Sequence, residues 1–174
     1  MKTLVISTFP ACGKTYLSKY QNNIGYHIID IDSGKFKNNK HWETCYVDYI
    51  ENKIGYYDFI LISQHDEVLL ELKMRNIPFI TVAPDNSLEL SEKEKQLIKQ
   101  QWFGRFLLRD NSHINNIDIW LTKLVKNYDI WTNPAYLKRY NPLSHFVLKE
   151  NQYLEDIINK IYLFKENFEQ ELFN

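Results

Sequence analysis

The sequence has few cysteines and no long apolar run. Only two of its 174 residues are cysteine, Cys12 and Cys45. Two thiols cannot form the disulfide framework on which small secreted domains depend, so we expect a reducing compartment and predict a cytoplasmic protein. No apolar stretch approaches the roughly 20 residues that a membrane-spanning helix needs. We therefore expect no membrane association.

An excess of charge of one sign is missing as well. The chain has 21 basic and 22 acidic residues, which give a formal net charge of −1. Proteins that bind nucleic acid are usually basic, so nucleic acid is not an expected partner. The five histidines show none of the spacings typical of zinc ligands. Hydrophobic residues make up 44% of the chain, which suits one globular domain over 1–174.

Short apolar runs alternate with segments of helical periodicity. We predict strands over 3–7, 26–31, 59–63, 78–83 and 145–148, with helices between them and after the last. This alternation predicts an α/β fold whose five-stranded parallel sheet is covered by helices on both faces. The two helices predicted over about 88–128 indicate a helical lid, and 133–142 reads as irregular. Ligands of such folds bind at the carboxyl ends of the strands.

The segment after the first predicted strand, Thr8–Thr15, reads Thr-Phe-Pro-Ala-Cys-Gly-Lys-Thr. It has the strand-loop-helix context of a phosphate-binding loop, with Thr8 where the pattern has glycine. Backbone N–H groups of such loops receive phosphate oxygens, the lysine reaches the β- and γ-phosphates, and the threonine holds Mg²⁺. We therefore predict ATP and Mg²⁺ as cofactors, bound by Pro10, Ala11, Cys12, Gly13, Lys14 and Thr15.

Two acidic residues, Asp30 and Asp32, lie at the end of the second predicted strand. Residues two apart on a strand face the same side, so both carboxylates are predicted to point into one cleft beside the loop. A kinase needs a carboxylate to accept the acceptor's proton or to hold Mg²⁺, and we assign these roles to the pair, with Asp32 also binding metal and substrate. The alternative is that one of them caps the next turn. Lys35 is a candidate substrate ligand or simply an exposed lysine.

The end of the third predicted strand lacks the acidic residue of many triphosphate-binding folds. Ser63, His65 and Asp66 are instead candidates to line the cleft, with His65 predicted to bind substrate; a cap or surface role is its alternative. Arg105 and Arg109 lie four residues apart on the long polar helix and share one face. Arginines in this part of the chain can neutralise charge on a transferred phosphoryl group, and a solvated helix surface is the alternative.

The order of these motifs resembles the small P-loop nucleotide-kinase-like proteins encoded by bacteriophages and prophages. The likeness rests on segments 9–15, 30–36 and 63–65, on the two lid arginines, and on Gln-Tyr-Leu at 152–154; Ala11 stands where glycine is usual. The resemblance implies a P-loop NTPase-type three-layer sandwich located in a host cytoplasm. It also implies a phosphotransferase that moves the γ-phosphoryl group of ATP to a nucleoside monophosphate or nucleoside.

Other functions remain open at this point. Many proteins of this kind are known only to bind ATP, so a non-catalytic ATP-binding regulator or host-interaction protein is the main alternative. Thr8 and the missing acid after the third strand favour it. The acidic segment also resembles that of shikimate-kinase-like enzymes, which leaves a non-nucleotide acceptor possible. A kinase acting on modified bases in DNA is a third hypothesis, for which the net charge offers no basic face. The sequence indicates neither the acceptor nor the oligomeric state.

Overall fold

The computed structural model describes residues 3–20, 25–108 and 117–173. No helix in these ranges is both long and apolar enough to cross a membrane. The strands are β1 (Leu4–Thr8), β2 (Ile28–Ile31), β3 (Phe59–Ser63), β4 (Phe79–Pro84) and β5 (His145–Leu148). The helices are α1 (Lys14–Lys19), α2 (Trp42–Glu51), α3 (Asp66–Met74), α4 (Glu92–Leu108), α5 (Ile117–Trp131), α6 (Pro134–Leu137) and α7 (Leu154–Phe173).

The five strands form one parallel sheet in the order β2-β3-β1-β4-β5. All five side chains of β1 are buried, as expected for a central strand covered on both faces. The predicted α/β class and five-stranded parallel sheet are therefore confirmed.

The sheet separates two hydrophobic clusters, because successive side chains of a strand point to opposite faces. Leu4 and Ile6 of β1 belong to a cluster with residues of α1, α4, α5 and α7. Val5 belongs to the other cluster, with residues of α2, α3 and α6. This partition is compatible with a three-layer sandwich.

The strand order opens a crevice between β1 and β3. The helix after β1 packs on one face of the sheet through Leu17, and the helix after β3 packs on the other through Val68, Leu69 and Leu72. Where neighbouring parallel strands send their connections to opposite faces, a crevice forms at their carboxyl ends. The predicted phosphate loop follows the end of β1, and His65 follows the end of β3, so both lie at this crevice.

The predicted lid segment contributes to the core. Ile98, Trp102 and Phe106 of α4 are buried, and so are Leu124 and Tyr128 of α5. The two helices therefore pack their inner faces against the first cluster. Arg109 lies outside the described residues.

The segment predicted as irregular contains a short helix, so this prediction is wrong. The Asn133 side chain accepts a hydrogen bond of 2.8 Å from the Ala135 N–H and caps α6. Pro134 occupies the first helical position, where its missing N–H costs nothing. A 3-10 turn, Lys138–Tyr140, follows. Burial of Leu137 stabilises the helix against the second cluster.

Tyr46 of α2 holds the end of β2. Its side chain is fully buried, and its hydroxyl donates a 2.6 Å hydrogen bond to the carbonyl oxygen of Ile31. Burial raises the Tyr46 pKa above its ordinary value, so the hydroxyl stays protonated. Since Ile31 lies between Asp30 and Asp32, this bond positions both carboxylates.

We expect the substitution Tyr46→Phe to lower the free energy of unfolding by about 1–3 kcal/mol, because it deprives a buried carbonyl of a donor. Urea denaturation measures the change. Tyr49→Phe is the matched control: Tyr49 lies on the same helix, its ring is exposed, and its loss of a hydroxyl should cost less than about 0.5 kcal/mol. Equal effects of the two substitutions would contradict the role of Tyr46.

Candidate functional site

The connection between β1 and α1 contains two residues with left-handed backbone. Ala11 has φ 60° and Gly13 has φ 96°. Glycine adopts this region without the steric cost that a Cβ brings, so Gly13 suits its position. Ala11 carries a Cβ and adopts the same region at that cost.

Thr8 does not need to be glycine in this chain. It is the last residue of β1 and pairs with Ser63 of β3 and Val82 of β4. Its backbone is therefore extended, a conformation that any residue adopts. The departure from the motif at Thr8 leaves the shape of the loop unaffected.

The loop is held through two of its carbonyl groups. The Trp102 indole N–H donates to the Pro10 carbonyl oxygen at 2.6 Å, and the Leu154 N–H donates to the Cys12 carbonyl oxygen at 2.9 Å. The Phe9 ring packs against Trp102, with 4.8 Å between ring centroids. Helices α4 and α7 thus fix the carbonyl side of the loop.

The N–H side of the same loop has a different environment. Within the described part of the chain, the backbone N–H groups of residues 11–15 donate no hydrogen bond. Lys14 likewise forms neither an ion pair nor a hydrogen bond with any described residue. Successive free N–H groups beside an ammonium form a concave site for an anion. The arrangement can receive phosphate oxygens.

The thiol of Cys12 takes no direct part in this site. Burial raises its pKa to about 12, although the nearby charges of Lys14 and Arg105 act in the opposite direction. The thiol is therefore uncharged at neutral pH and a poor nucleophile. Cys12 contributes to the loop through its backbone and its packing in the first cluster.

Tyr153 and Arg105 lie beside the loop. A Cβ placed on Gly13 would come within 3.4 Å of the Tyr153 side chain. The Arg105 guanidinium lies 4.1 Å from the centroid of the Tyr153 ring and donates a 2.7 Å hydrogen bond to the Gln152 carbonyl oxygen. Arg105 therefore orders the segment before α7.

A carboxylate from β2 reaches the start of α1. The Thr15 hydroxyl donates a hydrogen bond to Asp30 Oδ2 at 2.7 Å. The second carboxylate oxygen, Oδ1, is buried and has no hydrogen-bond partner among the residues that the structure describes. Asp30 is thus available to a further ligand through one oxygen.

Asp32 takes the capping role that was its alternative. It lies just beyond β2, and its Oδ1 accepts a 2.9 Å hydrogen bond from the Gly34 N–H, which caps the 3-10 turn Ser33–Lys35. The structure thus brings Asp30, rather than Asp32, to Thr15. Asp32 is exposed, as is Lys35 at the end of the same turn.

His65 connects the segments that follow β2 and β3. Its Nε2 lies 3.0 Å from the Ser33 hydroxyl, and its ring meets Trp42 edge-on with 5.2 Å between centroids. Burial, followed by the charges of Lys37, Lys14 and Lys123, lowers the His65 pKa to about 3, while Asp32 opposes the shift. The imidazole is therefore neutral at pH 7.

The other two candidates after β3 differ in their contacts. Ser63 ends the strand and pairs with Thr8. Asp66 accepts a 2.6 Å hydrogen bond from the Tyr136 hydroxyl and lies 3.4 Å from Arg139. Asp66 therefore joins α3 to the segment around α6 rather than to the phosphate loop.

The residues present fit a magnesium ion that is bound together with phosphate. In the described ranges, no group of three or more His, Cys, Asp or Glu side chains is arranged to hold a metal ion. Mg²⁺ at phosphates commonly uses only one or two carboxylates, with phosphate and water oxygens completing its coordination. The Thr15 hydroxyl and the unpartnered oxygen of Asp30 supply such a donor set.

Several contacts of the site could not be read from the sequence. No sequence pattern predicts the hydrogen bond from Trp102 to Pro10. Gln64 donates its backbone N–H to the Thr8 carbonyl oxygen at 3.0 Å and its side-chain amide to the Trp131 carbonyl oxygen at 2.7 Å. These contacts join segments far apart in the chain and have no local signal.

Comparison with known proteins adds no family to this picture. The chain matches neither a protein-family model nor a curated protein sequence. Its function is therefore inferred from its own residues.

We expect the stability of the protein to fall as the pH drops below 6.5, in part because of His65. The folded-state pKa of about 3 lies below the ordinary 6.5, so the unfolded chain takes up the proton first. The stability that the neutral imidazole contributes is complete above pH 6.5 and is lost towards pH 3, at about 1.4 kcal/mol per pH unit. Urea unfolding between pH 7.5 and 4 measures it.

The matched comparison is His65→Gln, which removes this titration and leaves the buried His145 and the carboxylates in place. The wild type should lose stability more steeply than the variant over the same pH range. Parallel pH profiles of the two proteins would contradict the prediction, because they would show that folding does not lower the His65 pKa.

Proposed function

We propose that this protein is a small-molecule kinase with a P-loop NTPase-type fold. It moves the γ-phosphoryl group of ATP to a small acceptor, most simply a nucleoside monophosphate or nucleoside. The observation that carries the proposal is the loop over residues 11–15. Its free N–H groups lie beside Lys14 and the bonded pair of Thr15 and Asp30.

The contacts of the loop support triphosphate binding. The N–H groups of residues 11–15 would donate to the phosphate oxygens, and the Lys14 ammonium would reach the β- and γ-phosphates. The carbonyl groups of Pro10 and Cys12 are already bound on the opposite side. The site is therefore organised before the ligand arrives, which lowers the entropic cost of binding.

Thr15 and Asp30 would hold Mg²⁺. When bound, this ion neutralises negative charge on the phosphate oxygens and orients them for in-line transfer. Asp30 accepts a hydrogen bond from the Thr15 hydroxyl and so orients it. The lone pairs of the hydroxyl oxygen can then face the phosphates. The second oxygen of Asp30 remains for the ion or for water bound to it.

Asp32 and Arg109 complete the proposed roles. A hydroxyl acceptor must lose a proton, and Asp32, exposed at the end of β2, is the carboxylate proposed to accept it. Arg105 would act through Tyr153, which it positions beside Gly13. Neutralising charge on the transferred group is proposed for Arg109.

A second candidate is an ATP-binding regulator or host-interaction protein without turnover. Two observations favour it. The Arg105 guanidinium is already bound to the Gln152 carbonyl oxygen and the Tyr153 ring. β3 also ends in Ser63 rather than an acid. Both functions require ATP binding, so turnover separates them.

We expect Lys14→Ala to weaken the binding of Mg²⁺-ATP by roughly tenfold to a hundredfold, because charge-assisted bonds to phosphate are lost. Titration calorimetry measures the dissociation constant. Lys19→Ala, an exposed lysine on the same helix, is the control and should bind like the wild type. Unchanged affinity in Lys14→Ala would exclude the loop as the triphosphate site.

We expect the wild type to release ADP from Mg²⁺-ATP when a suitable nucleoside or nucleoside monophosphate is added, and Asp30→Asn to lose most of this activity. The amide is a poorer ligand for Mg²⁺ than the carboxylate. A coupled ADP assay measures the rate, and calorimetry checks ATP binding separately. Tight ATP binding by the wild type without turnover on any acceptor would favour the regulator.

A further inference from the structure

Two lysine–tryptophan pairs flank the segment after β3. Lys37 Nζ lies 5.7 Å from the ring centroid of Trp42, and Lys123 Nζ lies 5.9 Å from that of Trp131. Lys37 follows the 3-10 turn after β2, whereas Lys123 belongs to α5. The fold thus brings two cations from distant parts of the chain to one region.

Both tryptophans are attached to the two residues that follow β3. The Trp42 ring contacts the His65 imidazole, and the Trp131 carbonyl oxygen accepts a 2.7 Å hydrogen bond from the Gln64 side chain. The Gln64 N–H also binds the Thr8 carbonyl oxygen. Both pairs therefore connect to the crevice between β1 and β3, where the phosphate loop begins.

A further feature of this region is the ionic environment of its two lysines. Among the described residues, neither Lys37 nor Lys123 forms an ion pair with a carboxylate. Both lysines are exposed. Partial desolvation and the like charge of Lys123 lower the Lys37 pKa, and the nearby carboxylates of Asp32 and Glu67 act against this shift. Two ammonium groups that form no ion pair with a described residue can attract an anionic ligand.

We propose that Lys37 and Lys123 bind the phosphate group of the acceptor. The acceptor is then a phosphate monoester, with a nucleoside monophosphate as the first candidate, rather than an uncharged nucleoside. This inference rests on the proposed kinase function and narrows its substrate class. The two lysines would receive the phosphate at the end of β3, while the loop holds ATP at the end of β1.

The chemistry of such an acceptor differs from that of a hydroxyl. The second pKa of a phosphate monoester is about 6, so its oxygen is already deprotonated at neutral pH. This oxygen attacks the γ-phosphorus of ATP and forms a new P–O bond. The bond from the γ-phosphorus to the bridging oxygen breaks, and ADP leaves with the electron pair. No proton has to be removed, so Asp32 is not needed as a base.

An ADP-release assay with a panel of acceptors tests the inference. The panel contains nucleosides, their 5′-monophosphates and sugar monophosphates, each with Mg²⁺-ATP. We expect turnover with a monophosphate and not with the matching nucleoside. Lys37→Gln and Lys123→Gln should each raise the KM for that monophosphate by roughly tenfold to a hundredfold, because a charge-assisted bond is lost. The KM for ATP should stay unchanged.

Control variants separate a ligand role from a structural role. Lys126→Gln removes an exposed lysine on the same helix as Lys123 and should leave both KM values unchanged. Lys123→Arg keeps the charge and should retain most of the affinity for the monophosphate. Thermal melts confirm that each variant is folded. A KM for the monophosphate that neither glutamine variant changes would overturn the inference.

The outcomes also distinguish this inference from the kinase proposal. If nucleosides are phosphorylated as well as their 5′-monophosphates are, the phosphate site is overturned but the kinase proposal is still supported. A preference for sugar monophosphates over nucleotides would support the phosphate site and would identify the acceptor as a sugar phosphate instead of a nucleotide.

If no acceptor stimulates ADP release, calorimetry decides. We would titrate dAMP, dCMP, dGMP and dTMP into the wild type, Lys14→Ala, Lys37→Gln and Lys123→Gln. Binding that survives in Lys14→Ala but weakens in the other two variants would support the phosphate site although the kinase proposal had failed. Absence of binding of any monophosphate to the wild type would overturn it.

Discussion

The pairing of β1 on both of its edges is the constraint on which the site depends. Up to Thr8, the backbone polar groups of the strand have partners in β3 and β4. The chain then leaves the sheet, and five N–H groups follow that no described residue accepts. A backbone donor without a partner costs about 1–3 kcal/mol when it is shielded from water. Water, or a ligand with several acceptor oxygens, has to accept hydrogen bonds from these N–H groups.

Helices α4 and α7 determine which side of the loop is left available. Trp102 and Leu154 bind its carbonyl groups, so those oxygens face the protein and repel no anion on the other side. The Tyr153 side chain lies beside Gly13, where an added Cβ would come within 3.4 Å of it. The shape of the proposed phosphate site thus depends on packing residues that lie outside it.

The strands could be predicted because parallel strands covered on both faces read as continuous apolar runs. The segment over 59–63 is an example: Phe59–Ser63 forms β3 as expected. The helix after Asn133 has no comparable pattern, because the sequence Asn-Pro occurs both in turns and at the start of helices. Its formation depends on the burial of Leu137, which is a tertiary effect.

The candidate site was predictable where its chemistry is local and not where it is long-range. The spacing of Gly13, Lys14 and Thr15 identified the loop. The choice of Asp30 over Asp32 as the partner of Thr15 depends on the contact between β2 and α1 and on the turn that Asp32 caps, and the period of a strand specifies neither. Lys37 and Lys123 are far apart in the chain, so only the fold can bring them together.

The buried thiol of Cys12 has a practical consequence. A thiol reagent needs the thiolate and access to it, and Cys12 offers neither while Trp102 and Leu154 hold the loop. Cys45 is more accessible and serves as an internal reference for the same reagent. The slow labelling of Cys12 relative to Cys45 would then follow the rate at which the loop opens. The chain thus carries its own probe of local opening at the loop between β1 and α1.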